Sequence, residues 1–381
     1  CRYDKQSKAP MKQSIEEWFG PMSDMLNFSQ QFAKGAETMA RVNAKDIEVG
    51  TSEKTLVAEF DKVKLYHYKT LVKDKPKTDP VLIVYGLVGR YTMIDLQEDR
   101  SLVRNLLLRG VDLYVVDWGY ASRADQYLNF DDYVAYYLDE CVDAICRENT
   151  IDSINLFGIC EGGVFTALYA AQNPEKVSNL VVSITPIDFA ADQEDDDPSH
   201  GFINLWMRNL AAEDIEAMIA AYGNLPGEVM GSVFQAMTPV KSMVKYNLDF
   251  IDIAADDSKL LNFLRMEKWL ADRPHHPGAA AKQWLIDLYK NNLLVKGEFV
   301  LAGEKVNLQT ITMPVLNVYA ERDHIVPPPC SKALKKYVGS KDYTELALPS
   351  GHVGIYVSSR LQGVVSDNIF TWLSKRQSAV R

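Results

Sequence analysis

The chain reads Gly158-Ile159-Cys160-Glu161-Gly162-Gly163 directly after the strand-like run 154–157 and directly before a helical pattern. This Gly-x-nucleophile-x-Gly arrangement is typical of the sharp strand-to-helix turn that carries the nucleophile in one class of α/β enzymes. The glycines let neighbouring backbone approach, and the start of the helix favours a thiolate. Taken alone, the motif is also compatible with a tight turn that holds a buried cysteine. We predict that Cys160 is a nucleophile.

Two further candidates follow predicted strands later in the chain. Asp323 comes just after Val315–Ala320, and His352 follows Leu348-Pro349-Ser350-Gly351. Either residue alone is compatible with an ordinary loop position. Together, however, nucleophile, acid and base stand in the chain order of an α/β hydrolase, each just past a predicted strand. We therefore predict a triad in which His352 takes a proton from Cys160 while Asp323 orients the imidazole.

Other residues are expected to complete this site. An oxyanion hole would combine the N–H of Glu161 with one from the loop 86–89, where Val88 is the first choice. His324, next to Asp323, is interpreted as a residue that supports the site from outside the triad and is not the base.

Strand-like runs and long helical patterns alternate along much of the chain. Strands are predicted at 64–68, 81–85, 111–116, 154–157, 180–184, 315–320 and 343–348, and helices at 101–109, 131–147, from 162 and at 364–375. Between about 186 and 308 the pattern is mostly helical, and residues 11–44 are also helical in pattern. The alternation predicts an α/β-hydrolase fold with a mostly parallel central sheet, helices on both faces and an inserted, mainly helical cap.

The predicted domain boundaries follow from this alternation. They are an N-terminal helical segment over 1–55, a catalytic core over 56–185 and 309–381, and a cap insertion over 186–308.

The composition of the 381 residues limits the possible partners. Apolar residues make up 47% and charged residues 24% of the chain, which is ordinary globular usage. The formal net charge of -10 argues against nucleic acid as a partner. Five irregularly spaced cysteines predict neither a disulfide framework nor a zinc site, and suit a reducing cytoplasm. No run approaches the ~20 apolar residues of a transmembrane segment.

Dispersed motifs from about residue 56 onward resemble the catalytic subunit of a polyhydroxyalkanoate (PHA) synthase, most closely class III, with class IV second. The matching motifs are at 93–102, 116–119, 130–133, 158–163, 185–189, 291–297, 322–327 and 351–357. So many motifs in the same order are more specific than the cysteine motif alone.

The resemblance implies polymerisation of (R)-3-hydroxyacyl-CoA, chiefly 3-hydroxybutyryl-CoA, into polyhydroxyalkanoate with release of CoA. The acyl chain would be held on Cys160, with His352 as base and Asp323 as the acid that this family often uses to activate the incoming hydroxyl. The resemblance further implies a homodimer, a second non-catalytic subunit and work at the surface of cytoplasmic PHA granules. No cofactor is expected.

Three segments depart from the family's usual motifs. Residues 88–93 read Val-Gly-Arg-Tyr-Thr-Met where Val-Asn-Arg-Pro-Tyr-Met is usual, and Glu161 stands where an uncharged residue is more common. We hypothesise that Glu161 either raises the pKa of the thiol or is neutralised by Arg90. The segment 273–278, Arg-Pro-His-His-Pro-Gly, replaces a more apolar motif. Its pair His275–His276 lacks further ligands, so we interpret it as a solvated loop and expect no metal site.

Two other functions remain open. A Cys-dependent thioesterase or an intracellular polyester depolymerase would use the same triad with water as acceptor. A non-catalytic granule-binding protein on the same scaffold would be expected to lack a triad member, and none is missing here.

Overall fold

A computed structural model of the chain describes residues 42–73, 76–193, 201–236 and 256–377, together with Glu37 and Ile253. The helix predicted over 11–44 therefore lies almost entirely outside the described residues. The chain divides into two compact units, Cys1–Glu48 with Thr238–Glu267, and Val49–Met237 with Lys268–Arg381.

The first of these units contains few described residues. They include a 3₁₀ turn at Ala44–Ile47, and the Arg265 side chain donates a hydrogen bond of 2.6 Å to the Asp46 carbonyl oxygen. The sheet and all the candidate site residues belong to the second unit.

An eight-stranded sheet forms the centre of the second unit. The strands in the described part of the chain are β1 (Lys54–Phe60), β2 (Val63–Tyr68), β3 (Val81–Val84), β4 (Asp95–Gln97), β5 (Arg100–Ser101), β6 (Leu113–Asp117), β7 (Ile154–Ile159), β8 (Val177–Ser183), β9 (Val300–Leu301), β10 (Glu304–Lys305), β11 (Val315–Ala320) and β12 (Tyr343–Leu348). Eight of these strands form the central sheet, in the order β1-β2-β6-β3-β7-β8-β11-β12. β1 and β2 pair antiparallel, as do β2 and β6, whereas every other neighbouring pair is parallel. The carboxyl ends of β7, β11 and β12 therefore lie at one edge of the sheet.

Helices connect these strands. They are α1 (Leu102–Arg109), α2 (Asp139–Asn149), α3 (Glu161–Gln172), α4 (Phe202–Asn209), α5 (Ala212–Tyr222), α6 (Gly227–Ala236), α7 (Asp257–Ala271), α8 (Gly278–Lys282), α9 (Pro328–Lys332), α10 (Leu334–Tyr337), α11 (Gly354–Val357) and α12 (Gln362–Ser374). Segments with π-helical hydrogen bonding occupy Asp131–Leu138 and Gln283–Lys290, and 3₁₀ turns occupy Tyr91–Ile94, Arg123–Asp125, Pro174–Lys176, Ala191–Gln193 and Leu308–Thr310. No helix in the described part of the chain is long and apolar enough to cross a membrane.

Apolar side chains cover both faces of the central sheet. Leu82 and Val84 of β3 belong to one buried cluster, and Val81 and Ile83 of the same strand belong to another. Because successive side chains of a strand point to opposite faces, a strand with two covered faces must be apolar throughout. This requirement explains the uninterrupted apolar run that predicts β3.

Local signals set the ends of α1. The Ser101 hydroxyl accepts a hydrogen bond from the N–H of Arg104 at the start of the helix. Gly110 ends it with a left-handed φ of 92°, a conformation that glycine adopts at little cost. The helix predicted at 101–109 is therefore confirmed.

The predicted fold class is confirmed by this sheet. The strands predicted at 315–320 and 343–348 match β11 and β12, and the helix predicted from 162 begins at Glu161. β1 was not predicted, and its first residues lie inside the proposed N-terminal segment. Between β8 and β11 the described residues are mainly helical. The exact domain boundaries remain a prediction.

Candidate active site

Cys160 occupies the turn between β7 and α3. Its backbone has φ 55° and ψ -122°, a strained conformation for a residue with a Cβ. The Cys160 N–H donates a 2.9 Å hydrogen bond to the Ser183 carbonyl oxygen at the end of β8. This anchor holds the turn at the carboxyl edge of the sheet, as expected for a nucleophile on an α/β sheet.

Glycines allow α3 to start directly against the ends of the strands. A Cβ on Gly162 would overlap the Val84 carbonyl oxygen, and one on Gly163 would overlap the Thr185 hydroxyl. A Cβ on Gly158 would likewise overlap the hydroxyl of Thr166. The spacing of the motif therefore has a steric cause, because each glycine lies where another group occupies the Cβ position.

Asp323 and His352 meet at the same edge of the sheet. Asp323 follows β11 and His352 follows β12, and Asp323 Oδ2 lies 2.7 Å from His352 Nδ1. The other carboxylate oxygen of Asp323 accepts hydrogen bonds of 2.9 Å from the N–H groups of Ile325 and Val326. These bonds fix the carboxylate, which in turn fixes the imidazole ring.

His352 also forms a hydrogen bond with Cys160, so the structure brings together all three predicted triad residues. Burial alone would lower the pKa of His352, but the charges of Asp323 and Cys160, together with hydrogen bonds to both, raise it to about 10. The imidazole is therefore held as an imidazolium between two acidic groups near neutral pH.

The Glu161 side chain lies beneath the predicted oxyanion loop. Glu161 Oε2 accepts hydrogen bonds from the N–H of Leu87 at 2.6 Å and from the N–H of Val88 at 3.1 Å. The Val88 N–H, our first choice as an oxyanion donor, is thus engaged in this structure and could serve an oxyanion only by giving up this bond. The Glu161 N–H, the other predicted donor, has no acceptor within the described part of the chain.

The hypothesis that Arg90 neutralises Glu161 is wrong. Arg90 forms a bidentate ion pair with Asp117 at the end of β6, over 2.6 and 3.0 Å. Glu161 Oε1 instead lies 2.7 Å from His276 Nε2.

The interpretation of His275–His276 as a solvated loop is also wrong for His276. Its side chain is 0% exposed, whereas His275 is 44% exposed. A histidine in an unassigned loop gives no sequence signal that it contacts a residue so distant along the chain. In the described ranges no group of three or more His, Cys, Asp or Glu side chains is arranged to hold a metal ion.

His324 is exposed, and its carbonyl oxygen accepts a 3.2 Å hydrogen bond from the N–H of Phe202 at the start of α4. This contact is made by the backbone, so the structure assigns no task to the imidazole. A supporting role for His324 remains a prediction.

Three tyrosines that the sequence analysis did not single out lie near enough to Cys160 for its charge to affect them. Burial raises the pKa of Tyr85, Tyr289 and Tyr356, and the charge of Cys160 raises each of them further. They therefore remain protonated and can donate hydrogen bonds. The position of Tyr85, directly after β3, was a signal that could have identified one of them.

The chain matches the sequence family described as alpha/beta hydrolase fold over residues 79–358. Among solved structures it is similar to a soluble variant of monoglyceride lipase from Saccharomyces cerevisiae, with a TM-score of 0.52 and 15% identity over 87% of this chain and 97% of that one. It is also similar to a thermophilic esterase from Thermogutta terrifontis, with a TM-score of 0.50 and 15% identity over 86% and 100% of the two chains. At these identities the similarity establishes the fold alone.

Curated sequences give a more specific similarity. The chain is 44% identical to the poly(3-hydroxyalkanoate) polymerase subunit PhaC of Synechocystis sp., over 93% of both chains. It is 42% identical to the protein of the same name from Allochromatium vinosum, over 93% of this chain and 96% of that one. A third protein of that name, from Thiocystis violacea, is 40% identical over 93% of this chain and 96% of its own length.

Proposed function

The chain belongs to the poly(3-hydroxyalkanoate) polymerase family, and on that premise we propose that it joins (R)-3-hydroxyacyl-CoA units into a polyester with release of CoA. The observation that carries the proposal is the hydrogen-bonded series Cys160–His352–Asp323, whose members follow β7, β12 and β11 at one edge of the sheet. Such a series activates a thiol for attack on an acyl carbon and can return the proton to a leaving group.

In the first half of the reaction, the Cys160 sulfur attacks the thioester carbonyl carbon of the substrate. The tetrahedral intermediate then collapses, the carbon–sulfur bond to CoA breaks, and the proton held by His352 passes to the departing CoA thiolate. The acyl group is left on Cys160 as a new thioester, so one thioester has been exchanged for another at little cost in free energy.

In the second half, the hydroxyl of a 3-hydroxyacyl unit attacks the acyl group on Cys160. His352 takes the hydroxyl proton while the ester bond forms and the carbon–sulfur bond breaks, which regenerates the Cys160–His352 pair. Asp323 stabilises the imidazolium at this step, and through it assists activation of the hydroxyl.

An oxyanion forms in both halves and requires hydrogen-bond donors that are already in place. The Glu161 N–H, at the start of α3, is one donor, and the dipole of α3 adds to its effect. We propose that a backbone N–H of the loop 86–89 is the second donor. The Val88 N–H could fill this role only by exchanging its hydrogen bond to the Glu161 carboxylate for one to the oxyanion.

We propose that the substrate is chiefly 3-hydroxybutyryl-CoA and that the chain is of class III, with class IV as the alternative. A homodimer, a second non-catalytic subunit and a location at polyester granules in the cytoplasm belong to the same proposal. The word "subunit" in the names of the relatives supports a multi-component enzyme.

The proposal is tested by incubating the protein with (R)-3-hydroxybutyryl-CoA and following free CoA together with the fate of the acyl groups. Wild type and Cys160→Ala would be compared, with and without a candidate second subunit. We expect polymer and CoA from wild type and neither from Cys160→Ala. Free 3-hydroxybutyrate in place of polymer would identify a thioesterase or depolymerase on the same triad. Without any CoA release, the granule-binding protein would become the better assignment.

A further inference from the structure

The side chains of Glu161 and His276 form a fully buried pair that takes no part in the reaction steps proposed above. Both side chains are 0% exposed, and Glu161 Oε1 lies 2.7 Å from His276 Nε2. Burying ionisable groups is costly unless they are paired and their remaining hydrogen-bonding atoms are satisfied. The surroundings of both side chains therefore indicate what the pair does.

The hydrogen-bond partners assign the protons of the pair. Glu161 Oε2 accepts from two backbone N–H groups, so that oxygen carries no hydrogen of its own. His276 Nε2 faces this carboxylate, and His276 Nδ1 lies 3.4 Å from the Pro277 carbonyl oxygen, which can only accept. His276 Nδ1 therefore carries a hydrogen, and one further proton lies between Nε2 and Glu161 Oε1, so the pair as a whole has no net charge.

The pair joins three segments of the second unit. Glu161 begins α3 beside the nucleophile, and its carboxylate binds the loop after β3. His276 lies just before α8, and its backbone forms two hydrogen bonds of 2.9 Å with Leu225. A Cβ on Gly86 would lie only 2.6 Å from the Glu161 Cβ, so the loop is packed directly on this side chain. So many contacts hold the loop in one position relative to Cys160.

We propose that Glu161 and His276 are positioning residues for the oxyanion site, an inference that rests on the proposed role of Cys160 as nucleophile. The Glu161 carboxylate holds the N–H groups of Leu87 and Val88 and so fixes the loop against the turn that carries Cys160. The Glu161 N–H stays available for the oxyanion. A lone carboxylate so close to a developing negative charge would oppose catalysis, and the proton that Glu161 shares with His276 cancels that charge.

The pair also connects two of the departures from the usual family motifs. Glu161 and the 273–278 segment each differ from those motifs, and in this structure they contact each other. A buried acid at position 161 requires a hydrogen-bonding partner that offsets its charge, and His276 is that partner.

The test compares two reactions of Cys160 that differ in whether an oxyanion forms. Single-turnover acylation by (R)-3-hydroxybutyryl-CoA passes through a tetrahedral oxyanion. Alkylation by iodoacetamide displaces iodide from a saturated carbon and forms none. We expect Glu161→Gln and His276→Leu each to slow acylation by about 10- to 100-fold, while alkylation of Cys160 stays within about twofold of wild type.

Several controls separate positioning from loss of the fold. The matched variant His275→Leu changes the exposed neighbour of His276 and should leave both rates within about twofold of wild type. Cys141 and Cys330 are buried, so they stay unreactive toward iodoacetamide in any variant that is folded. If His276→Leu alone does not fold, the double variant Glu161→Gln/His276→Leu, which buries no charge, replaces it and should still acylate more slowly than wild type.

The possible results decide between distinct conclusions. Equal slowing of acylation and alkylation would reduce the pair to a structural role and overturn the proposal. Faster acylation in Glu161→Gln would mean that the carboxylate occupies backbone N–H groups that the oxyanion needs, and this result would also overturn the proposal. If wild type is alkylated at Cys160 but not acylated by the thioester, the proposed function itself fails, and the role of the pair fails with it.

Discussion

Cys160 adopts a positive φ of 55° with ψ -122°, a combination that costs a residue with a side chain on the order of 1–3 kcal/mol. The strain persists because its N–H is bonded to Ser183 and because α3 packs directly on the strand ends. In this position the thiol meets His352 at the end of another strand. Reactivity at this site therefore depends on a few individual residues, each of which can be changed alone.

Asp323 is the residue that should control the protonation of His352. Its charge and its hydrogen bond both raise the pKa of His352, which lies at about 10. We expect Asp323→Asn to move this pKa downward, toward the ordinary value of about 6.5. Acylation should also slow by at least about 100-fold, because the imidazole loses the group that orients it. NMR titration of the His352 ring and single-turnover acylation would measure the two effects.

Glu321→Gln is the matched control for this substitution, since it removes a carboxylate from an exposed side chain near Asp323. It should leave the His352 titration and the acylation rate unchanged. A His352 pKa that stays near 10 in Asp323→Asn would show that another group, such as Cys160, controls the proton.

At the scale of elements, the junction between β7 and α3 should be the least tolerant part of the sheet edge. A Cβ on Gly162 would overlap the Val84 carbonyl oxygen and lie 2.7 Å from the Tyr85 carbonyl carbon. Because both obstacles are backbone atoms, they have no rotamer by which to move away. We expect Gly162→Ala to lower the free energy of unfolding by about 3 kcal/mol or more, measured from urea denaturation midpoints.

Gly363→Ala is the matched control, because Gly363 lies in the first turn of α12 and a Cβ added there would have no atom within 4 Å. Alanine at this position should raise the free energy of unfolding by about 0.5–1 kcal/mol. A loss of stability in both variants would imply that glycine at position 162 has no special steric role.

Elements buried on both faces could be predicted from the sequence, whereas an edge strand could not. β3 is an unbroken apolar run, because its two sheet neighbours and the covered faces leave its four side chains buried. β1 lies at the edge of the sheet, is partly exposed along its length and is interrupted by an irregularity between Leu56 and Ala58. Its side chains therefore show neither a continuous apolar run nor a clean alternation.

The residues of the candidate site also fall into those that local sequence patterns predict and those that they do not. Each triad residue follows a strand, and chain order indicated that they meet, so local patterns were sufficient to predict the group. The bond between Glu161 and His276 joins residues 115 positions apart, and the ion pair of Arg90 with Asp117 joins residues 27 apart. Nothing local in the sequence specifies such partners, and for that reason the predicted partner of Glu161 was wrong.

At the scale of the whole molecule, the triad should make stability depend on pH. The pKa of His352 is raised to about 10 in the folded chain, against about 6.5 when unfolded. Between these values the folded state binds more protons than the unfolded state, so stability falls as pH rises. The contribution of His352 is fully present below about pH 6.5 and is lost as pH increases through about 10.

Urea denaturation of wild type and His352→Gln from pH 6 to pH 10.5 would measure this contribution. The chain carries a formal net charge of -10 at pH 7, so repulsion grows with pH, but it grows almost equally in both proteins and cancels in their difference. We expect the free energy of unfolding of wild type, relative to that of His352→Gln, to decrease by a few kcal/mol at most across this range, mainly above about pH 7. Parallel curves for the two proteins would contradict the raised pKa. They would mean that His352 is neutral when folded and takes the proton of Cys160 only as the thiol attacks the substrate.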